Sequence, residues 1–117
     1  MRASIAQTYT IPANVNREQR DISVPCEQTA TPGLLITQSI EDWDIKHYKR
    51  PRWHVTQAGT GMKITGDSLT RPQARLIAGA LGGLPIDWTQ TSQEYFYKAA
   101  LDVPKDLWHW LTYELRR

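Results

Sequence analysis

A single cysteine, Cys26, occurs in the 117 residues, so no disulfide can form within the chain and a reducing compartment fits. It lies in the polar run Ser23-Val24-Pro25-Cys26-Glu27, with no base or helix N-terminus in view that would make its thiolate reactive. No segment approaches the ~18 apolar residues of a membrane span. The opening MRASIAQTYTIP lacks the apolar stretch of a signal peptide, and the expected compartment is the cytoplasm. Charge of one sign is scarce as well. Fourteen basic against 12 acidic residues leave +2, so polyanion binding would have to rest on local clustering. Paired metal-ligand spacing is missing: His47, His54, His109 and Cys26 are scattered, whereas a structural zinc site wants four ligands. Asp42 and Asp44 could share a strand face as in some magnesium sites, but acidic residues beside a basic stretch read as ordinary surface. No glycine-rich phosphate loop occurs, because Gly59-Thr60-Gly61 reads as a hairpin turn and Gly82-Gly83 as a helix end. Neither metal nor cofactor is expected, and internal repeats and low-complexity tracts are absent.

The length suits one domain with a core that needs no staple. Residues 1–33 read as an irregular N-terminal arm punctuated by Pro12, Pro25 and Pro32-Gly33, with short edge strands at most at Tyr9–Ile11 and Ile22–Val24. Residues 34–117 read as a single α+β domain. Within it, Leu34 to Ile40 is strand-like, Trp43 to Tyr48 alternates apolar with polar, and Lys49-Arg50-Pro51 is a turn. Arg52–Gln57 is expected to pair with Gly61–Thr65. Four consecutive strands imply an antiparallel meander. One face would carry Leu34, Ile36, Ile40, Trp43, Ile45, Trp53, Val55, Met62 and Ile64. The other would carry Asp44, Lys46, Tyr48, Arg52, His54, Thr56, Lys63 and Thr65, which is the pattern of a sheet covered on one side only.

About three short C-terminal helices are expected to supply that cover. Thr70 and Gln73 form a capping box, and Ala74, Ile77, Ala78 and Leu81 make one helical stripe. Gly82 suits a left-handed cap and Pro85 prevents resumption. Thr91-x-x-Glu94 starts a second helix ending near Val103. Pro104 opens a third, with Leu107, Trp108, Leu111 and Leu115 on one side.

Gly66-Asp67-Ser68-Leu69 resembles the nucleophile motif of the GDSL esterases, and Asp106-x-x-His109 resembles that family's distal Asp/His pair. The resemblance implies Ser68 activated by His109, with Asp106 orienting the imidazole. Against it, the chain is too short for that family's doubly wound fold, and the strands look antiparallel. The only asparagines are Asn14 and Asn16, so the family's oxyanion asparagine is missing. The spacing of Asp106 and His109 is also explained by an amphipathic helix. The esterase therefore stands third, and no catalytic residue is assigned.

The remaining constellation is Lys46-His47-Tyr48-Lys49-Arg50-Pro51-Arg52-Trp53, in which four cations fall within seven residues. If the alternation holds, Lys46, Tyr48, Arg52, His54 and Lys63 share the uncovered face while Lys49 and Arg50 occupy the turn. Cations with an aromatic platform suit phosphate contacts and base stacking, although an uncovered sheet face is polar in any case and edge strands use Lys and Arg against aggregation. The first expectation is a small non-catalytic protein binding nucleic acid or a nucleic-acid-handling complex. The alternative is a protein-binding inhibitor or assembly factor, of the kind small accessory genes of phages and mobile elements encode. It would act through surplus aromatics, Tyr97, Trp110 and Tyr113: Trp108, Trp110 and Tyr113 cannot all share the Leu107/Leu111/Leu115 stripe, and Tyr95 and Tyr97 face different sides of their helix. That surface could equally join two copies into a homodimer.

Overall fold

The computed structural model describes residues 7–15, 18–40, 42–65 and 68–110. Its elements are β1 (Gln7–Val15), β2 (Glu18–Gln28), β3 (Leu34–Gln38), α1 (Asp42–His47), β4 (Trp53–Gln57), α2 (Arg71–Gly82), α3 (Gln93–Leu101) and α4 (Lys105–His109). The fold is α+β, with an antiparallel sheet in the order β1-β2-β3-β4.

The expected meander over 34–65 is not the one found. Of its members, only β3 and β4 are strands, and they pair directly, Ile36 opposite Val55. With β2 on the other edge of β3, no slot remains for a strand at 43–48, and that segment is α1 followed by a bend. The expected return strand at 61–65 runs beside β4, but it is irregular. Met62 O accepts from Gln57 N and Ile64 N donates to Val55 O, and among the described residues the pairing beyond β4 is reduced to single bridges at Thr56–Lys63 and Trp53–Leu69.

The other two strands come from the arm. β1 and β2 form a long hairpin, Gln7 opposite Cys26 through Val15 opposite Glu18. Its prolines sit where the ladder tolerates them. Pro12 lies on the edge strand β1. Pro25 precedes the three β2 residues that pair with β3, Cys26 to Gln28, so β2 there has a neighbour on one side only.

Alternation along β3 and β4 sends Leu34, Ile36, Trp53 and Val55 to one face, where they join Ala74, Ile77, Ala78 and Leu81 of α2 in the main core. The α2 stripe is as the periodicity predicts. Its capping box is formed, with Gln73 N donating to Thr70 Oγ1 and Thr70 N to Gln73 Oε1. The predicted left-handed cap at Gly82 is not: α2 runs through Gly82, and Gly83 closes it with an ordinary right-handed φ of −81°. The Trp88 indole donates to Leu81 O and stacks on Phe96 of α3, centroids 5.7 Å apart. Ser92, not Thr91, caps α3 through Tyr95 N. Gly33, at φ +93°, enters β3 so close to the loop after α2 that a Cβ would strike the Trp88 backbone carbonyl.

The opposite face is not open. Leu35, Thr37, His54 and Thr56 are all buried, Leu35 packs with Val24 and Cys26, and the Thr37 and Thr56 hydroxyls bond at 2.6 Å. Two expected core members, Ile40 and Ile45, are exposed instead. The side chains of Asp44, Trp43 and Trp108, and residues Gly66, Asp67, Leu111, Tyr113 and Leu115, lie outside what is described. Among the described residues, no helix is long and apolar enough to cross a membrane.

Glu27 of β2 fastens the sheet to α2. It accepts from Arg71 Nε at 2.8 Å and from both Arg75 Nε and Nη2 at 2.7 Å, while Arg71 also lies 4.8 Å over the Trp53 ring. Hydrogen bonding from Arg75, reinforced by Arg71, holds the Glu27 carboxyl below its ordinary pKa although burial opposes it. A depressed folded-state pKa contributes stability above the unfolded value and loses it as pH falls through the folded one. Glu27→Gln should therefore cost about 1–3 kcal/mol near neutrality. The gap to the native chain should close as pH drops below about 4. Urea midpoints across that range check it, and a gap independent of pH would refute the linkage.

Candidate functional site

Between α1 and β4 the chain turns through Tyr48, Lys49, Arg50 and Pro51. The proline disfavours helical backbone at the residue before it, so α1 stops with Lys46 and His47 in its last turn, where cations favour the negative helix end. Lys46, His47, Lys49 and Arg50 are all exposed. Arg52 is half-buried, and its guanidinium lies 4.2 Å from the Tyr48 ring centroid while Nη2 donates to Ser68 O at 2.9 Å. Both contacts fall on the guanidinium, and together they hold Arg52 in place.

The turn from Tyr48 to Arg52 borders a surface cleft of about 210 Å³. Tyr48, Lys49, Arg50 and Arg52 line it from the loop, Gln38 and Ser39 from the end of β3, and Ile45 and Pro51 complete the wall. The composition is mixed: cations, amide and hydroxyl groups, one aromatic ring and apolar carbon. Gln38, Ser39 and Ile45 are the contributors that sequence reasoning missed. Ile45 looked like a core residue by alternation, yet it is 64% exposed.

The seven residues expected to act together divide into three places. Tyr48, Lys49, Arg50 and Arg52 are gathered by the α1–β4 loop, and Lys46 lies in the last turn of α1 just before it. His54 is buried in the sheet, 4% exposed. Lys63 is exposed opposite Thr56, near the far end of β4, roughly 13 Å from the loop at ~3.3 Å per strand residue. A single basic sheet face joining all seven does not exist.

The aromatic alternative has its own terrain on α3 and α4. Tyr97 is 60% exposed, Leu101 84% and Trp110 47%; Tyr113 is outside the described residues. An apolar groove of about 370 Å³ runs between α3, the start of α4 and the loop after α2, walled by Leu84, Ile86, Tyr95, Val103 and Leu107 but not by those three exposed side chains. Lys98 and Asp102 also line it.

Of the esterase-like residues, Ser68 is half-buried and gives its carbonyl to Arg52, just before Leu69 bridges to Trp53 and Thr70 caps α2. Asp106 and His109 are exposed on α4. Among the described residues, no group of three or more His, Cys, Asp or Glu could hold a metal ion. Compared with models of protein families, with curated proteins and with solved structures, the chain matches none of them.

Proposed function

We propose that this is a non-catalytic binding protein that contacts nucleic acid, or a complex that handles it, through the α1–β4 loop rather than through a sheet face. The observation that carries the reading is the pair of exposed cations Lys49 and Arg50 lining a cleft walled by Tyr48 and a tethered Arg52, with exposed Lys46 in the turn of α1 just before it. Exposed cations reach phosphates without reading sequence, and a fixed aromatic with hydrogen-bonding groups beside it is what a base needs. Cytoplasmic residence belongs to the same proposal, and a fully buried lone Cys26 suits it.

Reversing Lys49 and Arg50 together to Glu should weaken binding for all sequences alike. It should also flatten the slope of log affinity against log salt by roughly 0.7–0.9 per lost phosphate contact. Lys63→Glu should do less, because it lies at the other end of β4. Labelled-oligonucleotide titrations at several salt concentrations check both. No binding by the native chain, or binding indifferent to the Lys49/Arg50 reversal, would sink the reading.

One observation favours a second reading: Tyr97 and Leu101 of α3 and Trp110 just past α4 stand exposed, and half-open Leu107 lines an apolar groove in the same region. On that reading the protein is an inhibitor or assembly factor, or pairs with a second copy. Trp110→Ala would then cost about 2 kcal/mol or more of association, while the loop charges would alter mainly its rate. Sedimentation of the native chain and Trp110→Ala over a range of concentrations tests the homodimer form.

A further inference from the structure

We infer that the α1–β4 cleft receives an unpaired nucleotide, so that the nucleic acid this protein holds is single-stranded; the inference rests on the nucleic-acid reading above. The first ground is size. At about 210 Å³ the cleft is smaller than the roughly 300–1,000 Å³ of a pocket for an extended small ligand, and it suits one flat ring rather than a chain of groups. Lining chemistry is the second ground. The Tyr48 ring lines the cleft, is 37% exposed, and carries the Arg52 guanidinium 4.2 Å from its centroid. A base laid on Tyr48 would extend this cation–ring stack, a sequence-tolerant contact because every base has a π-face.

Gln38, the last residue of β3, lines the same cleft and is only half-buried, and an amide group serves the edge of an unstacked base. Lys49 and Arg50 line it too and are exposed, placed for the phosphates on either side of such a nucleotide. In a duplex the bases are stacked and paired, and a base enters a cleft only by leaving that stack at an energetic cost. The cations alone would serve duplex and single strand equally. The cleft is what separates the two.

The test uses one short labelled oligonucleotide in four forms: single-stranded DNA, single-stranded RNA, the annealed duplex, and an abasic strand of the same length. The native 117-residue chain, Tyr48→Ala, Tyr48→Phe and the Lys49/Arg50 reversal are titrated against each by fluorescence anisotropy. Single strands should bind more tightly than the duplex and than the abasic strand. Tyr48→Ala should weaken single-strand binding about fivefold or more, the lower end for one lost base stack. It should leave the abasic strand unchanged, whereas Tyr48→Phe should retain the native affinity. A general disturbance of the loop would move the abasic strand as well. The DNA and RNA arms show which sugar the site prefers. Duplex binding as tight as single-strand binding, or indifference to Tyr48→Ala while the charge reversal still weakens binding, would overturn the inference and leave the nucleic-acid reading standing. Binding to none of the four forms would overturn both.

Discussion

Replacing Gln57 with leucine should destabilise the protein by about 3–5 kcal/mol, a larger loss than its place at a strand end suggests. The side chain is fully buried, and it fastens three segments together. Nε2 donates to Trp88 O at 2.7 Å and to Gln90 O at 2.9 Å, while Oε1 accepts from Thr60 N and Thr60 Oγ1. Each orphaned buried partner costs about 1–3 kcal/mol, and those that water can reach cost less. The bond to Trp88 O is buried and the other three are partly exposed, which sets the total. Gln57→Glu should be worse near neutrality, because a carboxylate oxygen would replace the amide nitrogen facing two carbonyls. Burial and those carbonyls would raise the pKa of the introduced carboxyl, so its penalty should grow as pH rises above about 4.3. Urea midpoints at unchanged m-value provide the measurement. A Gln57→Leu midpoint within error of the native chain would show that the 58–61 turn and the 88–90 loop do not depend on this side chain.

Ile77→Ala should cost ~2–5 kcal/mol, the range for truncating a fully buried branched side chain. Ile77 is 0% exposed and meets the β3–β4 face along with Ala74, Ala78 and Leu81. Ile64→Ala should cost less than about 2 kcal/mol, although alternation assigns Ile64, and helical spacing Ile77, to the same core. Ile64 only flanks that core, on the irregular return beside β4, and a partly exposed site loses less transfer energy and leaves a smaller cavity. Equal losses for the two would mean that the return segment is packed as firmly as α2. A native-like midpoint for Ile77→Ala would mean that the helix presents a different face.

The loop that carries the candidate site was legible as a stretch but not as a shape. Lys49-Arg50-Pro51 reads as a turn because proline breaks the pattern, and residues 49–50 form a bend there. What surrounds it depends on neighbours distant in sequence. Tyr48 and Arg52 were expected together on a strand face; they meet instead across the bend, and Ser68, sixteen residues after Arg52, holds the guanidinium. His54 was expected in solvent because it alternates with Trp53 and Val55. Alternation assigns a side chain to a face, but whether that face meets water depends on packing from elsewhere in the chain.

Local physics decided α2 from sequence alone: a capping box, a stripe at helical spacing and a proline beyond its end act within one or two turns and need no partner. The β4 strand was legible for a similar reason, since its alternation spans a bounded apolar segment. Strand partnership was not, because hydrogen bonds between strands join residues far apart in the chain and leave no local mark. Only the tertiary structure placed the hairpin of residues 7–28 beside β3, turned Trp43–His47 from a plausible strand into a helix once β4 had taken the edge it needed, and buried Gln57 at a junction of three segments. The seven basic and aromatic residues were divided in the same way: their order in the chain made them neighbours, and the pairing of β3 with β4 decided which of them reach solvent together.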